Sequence, residues 1–367
     1  MDMIRIEHLV KQYPNNPNLV VNDLNLTVEK GEICVLIGTS GCGKTTTMRM
    51  INRLIPITDG HIFVDGKDIM EQNPIELRRN IGYAIQETGL FPHWSIEKNI
   101  ATVPMEKKWP QDKINARVQE LMELVELNPA YGKKKPSALS GGQKQRAGVA
   151  RALAGDPPVM LMDEPFGALD PITRNKLQNE FLNNIQAKLK KTIVFVTHDM
   201  DEAVKMGDKI AVMQNGKLAQ FGTPHEILSN PASEFVENLV GQNRIIKRFT
   251  LLRVNEIENS WPVVCFDDVK GIIDSTAKAP FVGIVNKEGH PLGFIETAGK
   301  TITSSADVEQ AIIQVKTSVS GEDSLYDAMS AMFTANHKVV FSVDAAHKAT
   351  KLIGMDQLFD KGNSRGK

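Results

Sequence analysis

The stretch that decides the fold runs from Ile33 to Thr45 and reads ICVLIGTSGCGKT. Its last part, Gly38–Thr45 (GTSGCGKT), matches the phosphate-loop pattern G-x-x-x-x-G-K-[ST]. The apolar run Ile33–Ile37 predicts a buried strand before the loop, and Met48–Leu54 predicts a helix after it. Glycines let backbone N–H groups approach a phosphate closely where such a helix begins. This order predicts an α/β nucleotide-binding fold.

The phosphate loop assigns roles to individual residues. We expect Lys44 to neutralise the β- and γ-phosphates and the Thr45 hydroxyl to hold Mg²⁺. The alternative is a glycine-rich turn that matches by chance, which the flanking strand and helix disfavour. The predicted phosphate-binding residues are Gly38, Thr39, Ser40, Gly41, Cys42, Gly43, Lys44, Thr45 and Thr46.

A second candidate phosphate cradle lies downstream, at Leu139–Gln143 (LSGGQ), here called the signature segment. A serine and two glycines can present a hydroxyl and bare backbone amides to an anion. Because the phosphate loop already covers the chain's own nucleotide, we expect the signature segment to serve the ATP of a second copy. The residues predicted to make this contact are Ser140, Gly141, Gly142 and Gln143.

A pair of carboxylates ends a second apolar strand, Val159–Glu164 (VMLMDE). Asp163 is predicted to anchor the Mg²⁺ shell, since hard cations take oxygen ligands. Glu164 is predicted to act as the general base on the attacking water. Strands that end in acidic residues are common, so the prediction depends on the phosphate loop as well.

Composition limits the class of protein. The chain has 367 residues, enough for two domains, and its formal charge of −1 argues against a nucleic-acid partner. The run Lys133–Lys135 is interpreted as a solvated loop. Three cysteines suit a reduced cytosolic setting, and Cys42 is expected to be exposed enough for alkylation. We expect no membrane-spanning segment, because no apolar run is long enough, and no signal peptide.

These motifs, in this order over residues 1 to about 243, resemble the nucleotide-binding subunits of ATP-binding-cassette (ABC) transporters. The resemblance implies a P-loop NTPase cassette: a RecA-like core, an antiparallel β subdomain and a helical subdomain at about 88–158. It implies that Tyr13 stacks on adenine, although an ordinary turn aromatic is the alternative. It also implies that Gln86 touches Mg²⁺ and the water, that Asp170 lies in a loop crossing the dimer interface, and that His198 senses the γ-phosphate.

The same resemblance implies partners. Glu87–Trp94 (ETGLFPHW), the docking segment, is expected to border a groove for a short helix of an integral membrane permease. The alternative is that Leu90, Phe91 and Trp94 pack inside the helical subdomain. An extracytoplasmic substrate-binding protein would deliver the cargo, and this chain would work at the cytoplasmic face of a bacterial membrane.

Residues 244–367 carry a fainter internal repeat. A helix is predicted near Ser324–Phe333 and a strand at Lys338–Val343, while Ala279–Val285 forms a fainter copy. Matching Phe281 to Phe341 sets the offset at roughly 60 residues. The pattern resembles a tandem pair of CBS motifs, the second at about 315–363 and the first degenerate.

The nucleotide motif of this pair is incomplete. Gly354 and Asp360 are present, but Gln357 stands where a hydroxyl is expected, so mononucleotide binding through this motif is doubtful. Related subunits sense ionic strength or cyclic di-AMP with such a pair. A dimer-stabilising module without a ligand is the alternative.

A cassette followed by a CBS pair resembles the cassette subunits of importers of glycine betaine, carnitine and choline. The local sequences of Arg49–Ile55 and Gly89–His93 resemble the same subfamily. The alternatives are an importer of another small substrate and a non-transport ABC ATPase. One signature segment and a short gap from Thr45 to Leu139 disfavour the latter.

Overall fold

The computed structural model describes residues 1–14, 17–85, 89–167 and 169–363. They divide into two compact units, Met1–Ile227 with Pro231–Val240, and Leu228–Asn230 with Gly241–Lys367. Within the described ranges, none of the helices has the length and apolar character that crossing a membrane requires.

The first unit is built on two sheets. Its strands are β1 (Asp2–Gln12), β2 (Leu19–Glu29), β3 (Ile33–Gly38), β4 (Asp59–Val64), β5 (Lys67–Asp68), β6 (Ile81–Ala84), β7 (Val159–Asp163), β8 (Thr192–Val196), β9 (Lys209–Gln214) and β10 (Lys217–Gly222). The helices as far as residue 240 are α1 (Lys44–Ile51), α2 (Pro74–Arg79), α3 (Ile96–Ile100), α4 (Thr102–Glu106), α5 (Gln111–Leu124), α6 (Gly141–Ala154), α7 (Pro171–Glu180), α8 (Ala187–Leu189), α9 (Met200–Met206), α10 (Pro224–Ser229) and α11 (Glu234–Val240). A π-helical turn, Phe181–Gln186, joins α7 to α8.

The central sheet has the order β10-β9-β3-β8-β7-β6, and only β10 runs antiparallel to its neighbour. Every residue of β3, β7 and β8 is buried, because helices cover both faces of such a sheet. This explains their continuous apolar sequences. Since β3, β8 and β7 are parallel neighbours, their carboxyl ends share one edge, where ligands of open α/β sheets bind.

The second sheet of this unit is antiparallel and has the order β2-β1-β4-β5. It shares one apolar core with β3 and α1, in which Ile4, Leu9, Val21 and Leu36 are fully buried. The predicted α/β fold, with its antiparallel β subdomain, is confirmed.

Helices α3 to α6 fill the interval between β6 and β7, where the helical subdomain is expected. The buried Asn99 of α3 fixes the chain before it. Its Oδ1 accepts from the Phe91 N–H at 2.7 Å, and its Nδ2 donates to the Phe91 carbonyl at 3.1 Å. Arg151 of α6 donates to the carbonyl of Gly89. The described part of the docking segment is therefore tied to two helices.

The second unit contains β11 (Val263–Cys265), β12 (Phe281–Val285), β13 (Pro291–Glu296), β14 (Ile313–Gln314), β15 (Ser318–Ser320), β16 (Val339–Val343) and β17 (Ala349–Gly354). Its helices are α12 (Arg244–Leu251), α13 (Val269–Thr276), α14 (Ser305–Ala311), α15 (Leu325–Ala335) and α16 (Met355–Asn363). Each half has a short strand parallel to the first strand of an antiparallel pair. Both halves follow the order strand, helix, strand, strand, helix.

The two halves are offset by 58 residues, because β12 and β16 begin at 281 and 339 and end at 285 and 343. Matching Phe281 to Phe341 was therefore wrong by two residues, and Gly283 is the true counterpart of Phe341. A Cβ at Gly283 would lie 2.9 Å from the Phe341 ring. Because the two equivalent positions contact each other, only one of them can carry a large side chain.

Candidate nucleotide-binding and hydrolysis site

The phosphate loop leaves β3 at Gly38 and enters α1 at Lys44. Gly38 has φ 153°, and a Cβ there would lie 2.1 Å from the carbonyl oxygen of Met213. Gly43 has φ 104°, a left-handed conformation that favours glycine, just before α1. The first N–H groups of α1 lack helical partners, so the loop presents donors to an anion.

Lys44 is held across this loop. The residue is 7% exposed, and its Nζ donates to the carbonyl oxygens of Gly38 at 2.8 Å and Thr39 at 3.0 Å. The Cys42 sulfur lies 3.7 Å from the same Nζ and is buried. The expectation that Cys42 is exposed enough for alkylation is therefore wrong. The ammonium group faces the inside of the loop, as a phosphate partner must.

Thr45 and Asp163 come together from α1 and the end of β7. The Thr45 hydroxyl donates to Asp163 Oδ1 at 3.0 Å. Burial raises the pKa of Asp163 above its ordinary value, and the Thr45 hydrogen bond partly opposes that rise. A nearly buried carboxylate beside a hydroxyl is an oxygen-donor set that fits Mg²⁺. Gln86, the third predicted ligand, lies outside the described residues.

Glu164 follows β7 in an unusual backbone conformation, with φ 44°. Non-glycine residues rarely adopt this region, and holding one there costs about 1–3 kcal/mol. The Glu164 N–H donates to the Val196 carbonyl at 3.0 Å, which fixes the residue against β8. Its Oε1 lies 3.2 Å from Nδ1 of His198. The predicted base and the predicted γ-phosphate sensor are therefore adjacent.

The signature segment forms the start of α6. Ser140 caps this helix: its Oγ accepts from the Gln143 N–H at 3.3 Å, and Gln143 Oε1 accepts from the Ser140 N–H at 2.9 Å. This capping box orients the serine at an exposed helix N-terminus, where anions are favoured. Gly141 is exposed and Gly142 is half-buried. A Cβ at Gly142 would lie 3.3 Å from the Thr173 methyl group.

Asp170 caps α7 by accepting from the Thr173 N–H at 3.1 Å. Hydrogen bonding by Thr173 lowers the pKa of Asp170, so this exposed carboxyl is ionised at neutral pH. Tyr13 lies just after β1, is 39% exposed, and has the Lys11 ammonium 4.9 Å from its ring centre. Its stacking on adenine stays a prediction.

The site also contains an arginine that none of the sequence motifs includes. Arg174, one helical turn after Asp170, donates to the Leu169 carbonyl at 3.1 Å and lies 3.7 Å from Asp199. An arginine four residues after a helix N-cap is a weak sequence signal, because its charged partner Asp199 lies in a distant part of the chain.

A family model and several known proteins are similar to this chain. The family model described as ABC transporter matches residues 21–167. The glycine betaine/carnitine/choline transport ATP-binding protein OpuCA of Bacillus subtilis is 54% identical over 267 residues, 72% of this chain and 70% of its own length. The osmoprotectant import ATP-binding protein OsmV of Salmonella typhimurium is 40% identical over 370 residues, 98% of this chain and 96% of its own.

A solved structure is also similar to this chain. The ATP-binding cassette MJ0796, a dimer in a post-hydrolysis state with ADP and Pi, is similar with a TM-score of 0.55 and 30% identity. The match covers 60% of this chain and 99% of that cassette.

Proposed function

This chain belongs to the ATP-binding subunits of ABC transporters, and we propose that it hydrolyses ATP to power import of quaternary-ammonium osmoprotectants such as glycine betaine, carnitine and choline. The observation that carries the chemistry is the meeting of Lys44, Asp163 and the Glu164–His198 pair at one sheet edge. The relatives named for these substrates support the cargo.

Phosphoryl transfer depends on positioning and charge, and this chain's residues supply both. Lys44 offers its ammonium group to the β- and γ-phosphates. Glu164 takes a proton from the water whose oxygen attacks the γ-phosphorus, while the bond to the bridging oxygen breaks and ADP leaves. His198 donates to the γ-phosphate. Mg²⁺, held by Thr45 and Asp163, would neutralise phosphate oxygens.

A second copy completes the site. We infer that the Ser140 hydroxyl and the first N–H groups of α6 contact the ATP held in the partner's phosphate loop. The exposed, capped N-terminus of α6 supports this contact. ATP then joins two copies and hydrolysis releases them, a two-state change driven by ligand contacts.

The permease is expected to dock beside the docking segment. Phe91 is exposed, so it does not pack wholly inside the helical subdomain. The helical subdomain also has a groove of about 530 Å³, lined by the α3 N-cap Ser95 and by residues of α3, α4 and α5 that include Lys98, Met105 and Ile114. Its mixed polar and apolar lining suits an amphipathic helix of a permease. We infer that such docking would bring the chain to the cytoplasmic face of the membrane, with a substrate-binding protein on the other side.

We propose that the second unit is a CBS pair that regulates transport. Its two halves with the same element order support this assignment. Gln357 is buried, and its Oε1 accepts from the Gly354 N–H at 2.6 Å, so its oxygen faces the backbone. A cavity of about 250 Å³ lies between Gln357, Asp360 and Ile257–Asn259. The ligand candidates are cyclic di-AMP and the ions that set ionic strength.

Reconstitution with the permease and binding subunits tests the function. Uptake of betaine, choline and carnitine is measured with ATP, across ionic strengths and with or without cyclic di-AMP. ATP-dependent uptake of at least one quaternary amine is expected. Uptake of none, with intact ATP hydrolysis, would redirect the assignment to another small substrate. Uptake that responds to neither salt nor cyclic di-AMP would contradict the regulatory role.

A further inference from the structure

Arg174 of α7 reaches two separate loops at the site. Its Nη2 donates to the carbonyl oxygens of Leu169 at 3.1 Å and Gly167 at 3.5 Å. Its Nη1 lies 3.7 Å from Oδ2 of Asp199, the residue after His198. A guanidinium group has several donors in a rigid fork, so it can hold carbonyls and a carboxylate at once.

Asp199 is itself a fixed partner. Its Oδ1 caps α9 by accepting from the N–H groups of Asp201 at 2.9 Å and Glu202 at 3.4 Å. Each carboxylate oxygen therefore has a separate role, one toward α9 and one toward Arg174. The turn that carries His198 is anchored between α7 and α9.

A second connection leaves α7 one turn later. Gln178 Nε2 donates to Oε1 of the buried Glu202 at 2.9 Å, and Glu202 Oε2 accepts from the Thr197 hydroxyl. Thr197 Oγ1 in turn accepts from the Asp199 N–H at 3.1 Å. Residues on both sides of His198 are thus tied to α7.

His198 needs such anchoring because its side chain is 68% exposed and little packing fixes its direction. We propose that Arg174 is a positioning residue for hydrolysis: it ties the backbone at Gly167 and Leu169 to Asp199 and so sets His198 against Glu164. This inference rests on the role of His198 in the proposed function. Arg174 acts through His198 and not on the nucleotide.

A double-mutant cycle tests this role. ATP hydrolysis is measured under multiple- and single-turnover conditions for the full chain, Arg174→Ala, His198→Ala and the double variant, with ATP binding measured in parallel. Arg174→Ala is expected to lower kcat about 10- to 100-fold, the scale of a small misplacement of a reacting group, while the Kd for ATP changes less than about twofold. In the His198→Ala background, Arg174→Ala should cause no further loss.

Arg79→Ala is the matched control. Arg79 is also 30% exposed in its side chain and pairs with Glu76 at 2.8 Å, but it lies on α2. Histidine NMR gives a readout apart from activity: the His198 resonance, assigned with His198→Ala, should shift in Arg174→Ala and not in Arg79→Ala. Arg174→Lys, which keeps the charge but lacks the forked guanidinium donors, should recover part of kcat. It replaces Arg174→Ala in these measurements if the alanine variant does not fold.

The outcomes distinguish the positioning role of Arg174 from the assigned role of His198. Equal losses in both backgrounds, or an unmoved His198 resonance, would overturn the positioning role. Full activity in Arg174→Ala with an impaired His198→Ala would overturn this inference alone. Full activity in His198→Ala would remove the assigned role of His198 as well.

Discussion

Nδ1 of His198 lies 3.2 Å from Oε1 of Glu164, although 33 residues lie between them in the sequence. They meet because β7 and β8 are parallel neighbours in register, with Asp163 paired to Val196. Each residue follows its strand within two positions. The sheet register therefore brings the predicted general base next to the predicted γ-phosphate sensor.

Replacing the Glu164 carboxylate should separate hydrolysis from binding. Glu164→Gln keeps the shape of the side chain but cannot accept the proton, so kcat is expected to fall about 10²- to 10⁴-fold. ATP-dependent dimerisation, measured by light scattering, should persist. Glu71→Gln, at an exposed position, is the charge-matched control. Unchanged hydrolysis in Glu164→Gln would remove the assigned base.

The buried Asp163 should make the nucleotide-free protein less stable at neutral pH. Burial raises its pKa, so the folded state binds the proton more tightly than the unfolded state, and stability is lost as pH rises through that range. Asp163→Asn should therefore raise Tm at pH 7.5, and the difference should shrink as the pH falls and the Asp163 carboxyl takes up its proton. Mg²⁺-dependent hydrolysis should be lost. A lower Tm for the variant at every pH would contradict this explanation.

Two glycines of the phosphate loop should tolerate alanine very differently. At Gly38 the new Cβ would lie 2.1 Å from the Met213 carbonyl, which is backbone and cannot move aside. At Gly41, with φ 78°, a Cβ meets no described atom within 4 Å, so only the left-handed strain of about 1–2 kcal/mol remains. Chemical unfolding should show a much larger loss for Gly38→Ala. Equal losses would argue against the close contact with β9.

Removing the Ser140 hydroxyl should leave ATP bound but the dimer open. Ser140→Ala also loses a helix cap, which costs about 0.5–2 kcal/mol. Ser304 provides a matched control, because it caps α14 with the same capping-box arrangement. With both changes made in the Glu164→Gln background, which leaves ATP unhydrolysed, sedimentation with ATP should show monomers for Ser140→Ala and dimers for Ser304→Ala. Monomers for both variants would indicate a general loss of stability.

Local patterns predicted part of the second unit and missed the rest. The helix near Ser324 was visible because apolar residues recur at helical spacing after a capping serine. The repeat register was wrong by two residues, since Phe281 and Phe341 look alike in sequence but occupy different positions in their strands. One is half-buried at a strand end and the other lies fully inside the core. Sequence similarity between two aromatics does not report burial.

The sequence by itself determined the chemistry of this protein, because phosphate loops, capping serines and strand-end carboxylates are local patterns whose residues lie close together along the chain. It also indicated the family, which the relatives at 40–54% identity confirm. Only the tertiary structure decided which distant residues meet: Thr45 with Asp163, His198 with Glu164, and Arg174 with Asp199. These pairs depend on strand order and helix packing, which bring together groups whose separation in sequence carries no signal of contact.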